Sequence, residues 1–188
     1  MIIAISAKKQ HGKDTVANII QEYTNNKFKV VKFADKLKDF VCTLINCTRE
    51  DLENENFKNS ELGDEWDFID DDCIKQKMTP RKLLQKIGTE AMRNNVHQNV
   101  WINATFSSYC DKCNWIITDL RFQNEMNILK NYNAIKIRVN RPSILKNDDH
   151  PSETSLDNND DFDFYIDNDS DLDSLKEKTI DILKKIGL

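Results

Sequence analysis

The spacing of apolar positions changes several times along the chain, and each change marks a predicted element. "IIAIS" (2–6) is a continuous apolar run of strand length, and "KDTVANIIQEY" from Lys13 sets Val16, Ile19, Ile20 and Tyr23 at helical spacing. "FKVVKF" (28–33) predicts a second strand, and "ADKLKDFVCTLI" a helix with Leu37, Phe40, Val41 and Leu44 on one face. Residues 49–78 are charged and carry no clear period; short helices and a mobile insertion both fit them. "TPRKLLQKIGTEAMRNN" then starts a helix. Thr79 is its N-cap, Pro80 suits the first helical position, and Leu83, Leu84, Ile87 and Met92 recur along a face. "WIITD" (115–119), "AIKIRV" (134–139) and "FDFYID" (162–167) read as further strands. "LDSLKEKTIDILKKI" closes the chain as an amphipathic helix, and the Asn- and Asp-rich stretch 157–161 predicts a loop. Strands alternating with helices predict an α/β fold of three layers around a parallel sheet.

Length and composition fit that expectation. The chain has 188 residues, 39% hydrophobic, with four Gly and three Pro, enough for one domain with a real core. No apolar run approaches the ~20 residues that span a bilayer, which predicts no membrane segment. "MIIAISAKK" has neither the basic head nor the small-residue cleavage site of a signal peptide, so a cytosolic enzyme is expected. The five cysteines are then expected to stay reduced, with Cys110 and Cys113 as two surface thiols before a strand rather than half of a zinc site. Charge is uneven. Eleven of the 32 acids lie between Asp148 and Asp173, where there is no Lys or Arg, and the rest of the chain carries 27 basic residues against 21 acidic. A basic body suits a small anionic substrate. No dense basic stripe with interleaved aromatics is present, so nucleic acid is not an expected partner.

The loop after the first strand, "SAKKQHGKDT", is nearly a phosphate-binding turn. Backbone N–H groups at a helix N-terminus wrap a phosphate, and Gly12 permits close approach. Lys13 is placed to bridge the β- and γ-phosphates, and Thr15 to donate to the α-phosphate. Asp14 stands where a Ser or Thr would hold Mg²⁺, and a carboxylate can do the same. In "WIITDLRF", a parallel strand delivers Asp119 to the edge where such folds bind ligands. Asp119 is a candidate for Mg²⁺ or its waters, and Arg121 for a phosphate. Arg81, Gln85 and Thr89 recur at i, i+4 and i+8; that stripe is either a solvated face or a reader of phosphate and base edge. Gly88 inside the helix predicts close approach of some group to the backbone. Trp101 fits either the core or a stack on a base.

The ordered set "GKDTVA", "FADKLKD", "TPRKLLQKIGTEAMRNN…VWI", "ITDLRFQNE", "IKIRVNRP", "DDHPSETSL" and "FYIDNDSDLDSLKEK" resembles the bacteriophage-type deoxynucleoside monophosphate kinases nearly end to end, most weakly over 49–78. The resemblance implies a P-loop nucleoside monophosphate kinase fold: a parallel sheet of about five strands flanked by helices. It implies one domain over 1–188, with an acceptor-binding helical insertion around 40–100 and a short lid around 140–156. It also implies transfer of the ATP γ-phosphate, with Mg²⁺, to a deoxynucleoside 5′-monophosphate, dTMP or dGMP first. Lys9, His11, Gly12, Lys13, Asp14 and Thr15 would hold the donor, with Arg141 and Asn168 beside it, the latter in the adenine-cradling loop 166–170. Ala34 and Asp35 would line the acceptor pocket. Arg81, Gln85, Gly88, Thr89 and Trp101 would read the acceptor, and Arg121 with Glu125 would close on it. His150 and Glu153 fall in the lid. Lys13, Arg121 and Asp119 are the catalytic expectation, and Asp14 and Asp119 the metal ligands. The family also has aspartate at the place of Asp14, but usually glycine at that of Ala7 and a small hydroxyl residue at that of His11. A homodimer and a location in the cytoplasm (of the host, if the source is viral) complete the expectation. Two rivals stand beside it: a phosphomevalonate kinase of the animal type, and a non-catalytic nucleotide-binding module.

Overall fold

Every strand that the apolar runs predict enters one parallel sheet. The computed structural model describes residues 1–144 and 151–188, so His150 of the lid expectation lies outside the described residues. Its chain divides into two units, Met1–Phe33 with Ser108–Leu188, and Ala34–Ser107. In chain order the elements begin with β1 (Ile2–Ala7), α1 (Lys13–Tyr23) and β2 (Lys29–Val31). The second unit follows with α2 (Asp35–Ile45), α3 (Arg49–Glu53), α4 (Glu55–Asn59), the hairpin β3 (Phe68–Ile69) and β4 (Lys75–Gln76), α5 (Pro80–Gln85) and α6 (Val100–Phe106). The first unit resumes with β5 (Trp115–Ile117), α7 (Gln123–Lys130), β6 (Ile135–Asn140), α8 (Pro151–Thr154), β7 (Phe164–Asp167) and α9 (Leu172–Lys185).

In the first unit the sheet runs β2-β5-β1-β6-β7, all parallel. Ile3 sits between Ile116 and Ile135 in register. Ile3, Ile5, Ile116, Ile137, Val139 and Ile166 pack with Val16, Ile19 and Ile20 of α1 and Leu175, Ile182 and Leu183 of α9. The alternate positions Ile2, Ala4, Trp115 and Ile117 are equally buried, so the sheet is covered on both faces, as an all-parallel sheet must be. Parallel strands send their following residues to one edge. The turn after β1, the Asp119–Arg121 turn after β5 and Arg141 after β6 therefore emerge side by side, and Leu120 N–H donates to the Ile5 carbonyl at 3.2 Å.

The second unit has its own core of Val41, Leu52, Met78 and Leu83, with Leu37, Ile45, Leu84 and Ile87 packed against it. Residues 49–78 hold short helices and the hairpin. Thr48 caps α3 by accepting from Asp51 N, while the Asp51 carboxylate accepts from Thr48 N. Thr79 caps α5 as expected, its hydroxyl accepting from Lys82 N at 3.2 Å. Two expectations are corrected. On α2, Val41 is buried but Phe40 and Leu44 are exposed (51% and 44%), because spacing fixes which residues share a face and not whether that face is covered. The helix after Gln85 widens into a π turn over Lys86–Arg93, which breaks the regular i, i+4, i+8 stripe before Thr89.

Candidate functional site

The turn between β1 and α1 is held by residues that follow β6 and β7. Gly12 caps α1 with φ +101°, accepting from Val16 N at 3.0 Å. Asn168 Nδ2 donates to the His11 carbonyl at 3.1 Å, and a Cβ added to Gly12 would lie 2.7 Å from that same nitrogen. Arg141 N–H donates to His11 Nδ1 at 3.1 Å. Lys13 Nζ rests on Asp14 Oδ2 at 2.5 Å. Ala7 ends β1 in register with Val139 and has no positive φ, so its methyl is accommodated. Gly12→Ala is expected to lower stability by about 1–2 kcal/mol from the left-handed backbone alone, and further because the Asn168 amide must move. Denaturant unfolding against Gly187→Ala checks this, since Gly187 also has positive φ but nothing within 4 Å.

His11 lies below its ordinary pKa, through burial first and then the nearby positive charges of Arg138, Lys8 and Arg141. Its Nδ1 accepts from Arg141 only when neutral. Just below the ordinary value near 6.5 the unfolded chain binds the proton more readily than the fold. Stability is thus whole above that value and falls as pH drops through the lowered one. A thermal midpoint followed from about pH 7.5 to 5 should show this slope, and His11→Ser should flatten it.

After β5, the buried Asp119 accepts from Phe33 N–H at 2.8 Å through Oδ1, tying the ends of β2 and β5 together. Glu125 follows on α7. It is buried, and its Oε2 accepts from Arg121 N at 2.8 Å and Phe122 N at 3.0 Å. At the third position of α7 it satisfies otherwise orphan donors and so sets the Arg121 backbone. The Arg121 guanidinium pairs with Glu153 Oε1, while Glu153 Oε2 accepts from Lys9 N at 3.2 Å.

A second cluster beside this one was not anticipated. Asp157 accepts from Lys8 Nζ at 2.6 Å and Arg138 at 3.0 Å, and Arg138 also donates to Ser6 Oγ at 2.8 Å. The available signal was the arginine near the end of the strand "IKIRV", one of two charges, with Lys136, in a run whose alternate residues form core.

The second unit holds the expected acceptor residues. Asp35 accepts from Arg49 at 2.7 Å, directly after Ala34. Arg81 donates to Glu55 at 2.8 Å and Asn59 at 2.9 Å. Gln85 and Thr89 are half-buried. At Gly88 and Trp101 the structure shows the packing side of the two readings. The group close to Gly88 is Leu37, whose Cδ2 would lie 2.7 Å from an added Cβ. Trp101 is 6% exposed and donates Nε1–H to the Gly88 carbonyl at 2.8 Å, the setting of a core side chain.

All five cysteines are free thiols. Among the described residues no three His, Cys, Asp or Glu side chains gather as a metal cluster, and no helix is long and apolar enough to cross a membrane.

A lysine turn at a helix N-terminus, beside an acid–x–arginine turn from the neighbouring parallel strand, defines a P-loop fold of the nucleoside monophosphate kinase type. The profile of the deoxynucleotide monophosphate kinase family matches residues 65–179, and the chain belongs to that family. A protein of Acanthamoeba polyphaga mimivirus described as a deoxynucleotide monophosphate kinase is 28% identical over 170 residues, covering 83% of this chain and 82% of its own. The deoxynucleotide monophosphate kinase of Enterobacteria phage T4 is 33% identical over 116 residues, 59% of this chain and 48% of that protein. The deoxynucleoside-5′-monophosphate kinase of Escherichia phage T5 is 34% identical over 92 residues, 42% and 35% of the two chains. The profile match spans Arg81, Asp119, Arg121, Arg141 and Asn168 but begins after the lysine turn.

Proposed function

We propose that the protein transfers the γ-phosphate of ATP to a deoxynucleoside 5′-monophosphate, dTMP and dGMP foremost, giving the diphosphate for DNA synthesis. The observation that carries this reading is the meeting of Lys9 N–H and the Arg121 side chain on one carboxylate, that of Glu153. Two elements expected to grip a triphosphate already converge on an anion, at the edge where β1 and β5 end.

In this reading the phosphates lie across the turn, against backbone N–H groups and the start of α1. Lys13 exchanges Asp14 for the β- and γ-oxygens, Thr15 donates to the α-phosphate, and Asn168 and Arg141 fix the turn through His11. Asp14 is mostly exposed and Asp119 stands at the strand end, so both offer hard oxygen donors to Mg²⁺. Two such carboxylates fit an ion that completes its shell with waters and substrate phosphates, and no three-residue cage is needed. When bound, Mg²⁺ supplies charge neutralisation between the phosphates. Arg121 stabilises the charge that spreads over the transferring group. On the second unit, Arg81 positions the acceptor phosphate once it releases Glu55, and Ala34, Asp35, Gln85 and Thr89 shape the acceptor pocket. With viral relatives, the host cytoplasm is the place of action.

An ADP-release assay over all deoxy- and ribonucleoside monophosphates, with phosphomevalonate as a further acceptor, tests the reading. Turnover with deoxynucleoside monophosphates is expected. Turnover with phosphomevalonate alone, or with no acceptor, would overturn it.

A further inference from the structure

Glu153 and Asp157 lie four residues apart in the acidic stretch, and their carboxylates occupy four donors around the lysine turn. Glu153 takes Lys9 N–H at 3.2 Å and the Arg121 guanidinium. Asp157 takes Lys8 Nζ at 2.6 Å and the Arg138 guanidinium at 3.0 Å. A backbone N–H, an ammonium and two guanidinium forks are the kinds of donor that a polyphosphate recruits. The contacts are not loose surface pairs: the side chains of Glu153 and Arg138 are 12% and 11% exposed. Screening by salt is weaker for such partly buried pairs.

We infer that Glu153 and Asp157 are an intramolecular stand-in for phosphate, an autoinhibitory contact that an incoming polyphosphate displaces. The natural ligand's identity as ATP rests on the function proposed above; the contact itself does not. Lys8, Lys9, Lys13, Arg121, Arg138 and Arg141 bring like charge to one sheet edge, and the two carboxylates offset it while no ligand is bound. Binding then requires exchange of one anion for another. Apparent affinity is reduced by the fraction of molecules in which the donors are taken, so a contact closed in about 90% of them weakens binding roughly tenfold. A residue whose work was to position Arg121 for transfer would act with the opposite sign, since its loss would weaken binding or leave it unchanged.

Calorimetric titration of the full chain with inorganic tripolyphosphate separates the two. Glu153→Gln is expected to bind about five- to tenfold tighter than the unaltered protein, with a smaller gain at high salt. Asp157→Asn should also tighten binding, and provides the same test should the first variant not fold. Equal or weaker binding by the folded variants would overturn the inference. Tighter binding in a protein without kinase turnover would keep the inference and remove the function proposed above. Full turnover with unchanged tripolyphosphate affinity in the variants would do the reverse.

Discussion

Replacing Arg121 by alanine is expected to lower kcat by roughly 10³-fold or more, the scale on which guanidinium clamps act in phosphoryl transfer. The side chain leaves the edge where β1 and β5 end, on a backbone fixed by the Glu125 carboxylate and by the Leu120 N–H on β1. Alanine keeps both backbone anchors, so what is lost is the guanidinium together with its pair to Glu153. Its contribution belongs to the transition state, where charge spreads over the transferring group, so kcat should fall more than KM rises. Lysine should rescue little, because a point charge does not replace a planar fork. Steady-state ADP release at saturating ATP and acceptor, with KM measured separately, checks the prediction. Near-normal turnover would remove Arg121 from the mechanism.

The sheet was legible because fully buried parallel strands read as apolar runs, and every such run became a strand. The lysine turn was legible because strand, Gly12 and helix are local in sequence. What stayed hidden was non-local or was decided by coverage. The Lys8–Asp157 pair joins residues 149 positions apart, and no pattern within either segment encodes it. Phe40 and Leu44 share the spacing of a core face yet remain exposed. The capping role of Glu125 has a readable signal, three residues beyond Phe122 at the start of a helix. The π turn announced itself only through Gly88, whose neighbour proved to be Leu37.

Trp101→Ala is expected to carry the largest cost in stability, about 3–5 kcal/mol, as deletion of a buried indole does. The ring is almost wholly removed from solvent, and its N–H serves the Gly88 carbonyl where the helix widens. Truncation therefore opens a cavity and leaves a carbonyl short of a donor in one step. Trp101→Phe separates the two, because it keeps most of the apolar volume and loses only the hydrogen bond. Its cost should be nearer 1–2 kcal/mol, from the lost bond and a small packing defect. For a chain of this size, each kcal/mol moves the melting midpoint by about 2–4 °C, so the alanine variant should melt at least about 6 °C lower. Circular dichroism melts of both variants provide the measurement. If Trp101 served chiefly as a base-stacking surface, the order would change: both variants would melt near the unaltered protein, and alanine would raise the acceptor KM. Comparable melting temperatures together with a raised KM would thus return Trp101 to the acceptor pocket. A large fall in melting temperature fixes it as the post on which the Gly88 turn, and with it the Arg81 helix, is set.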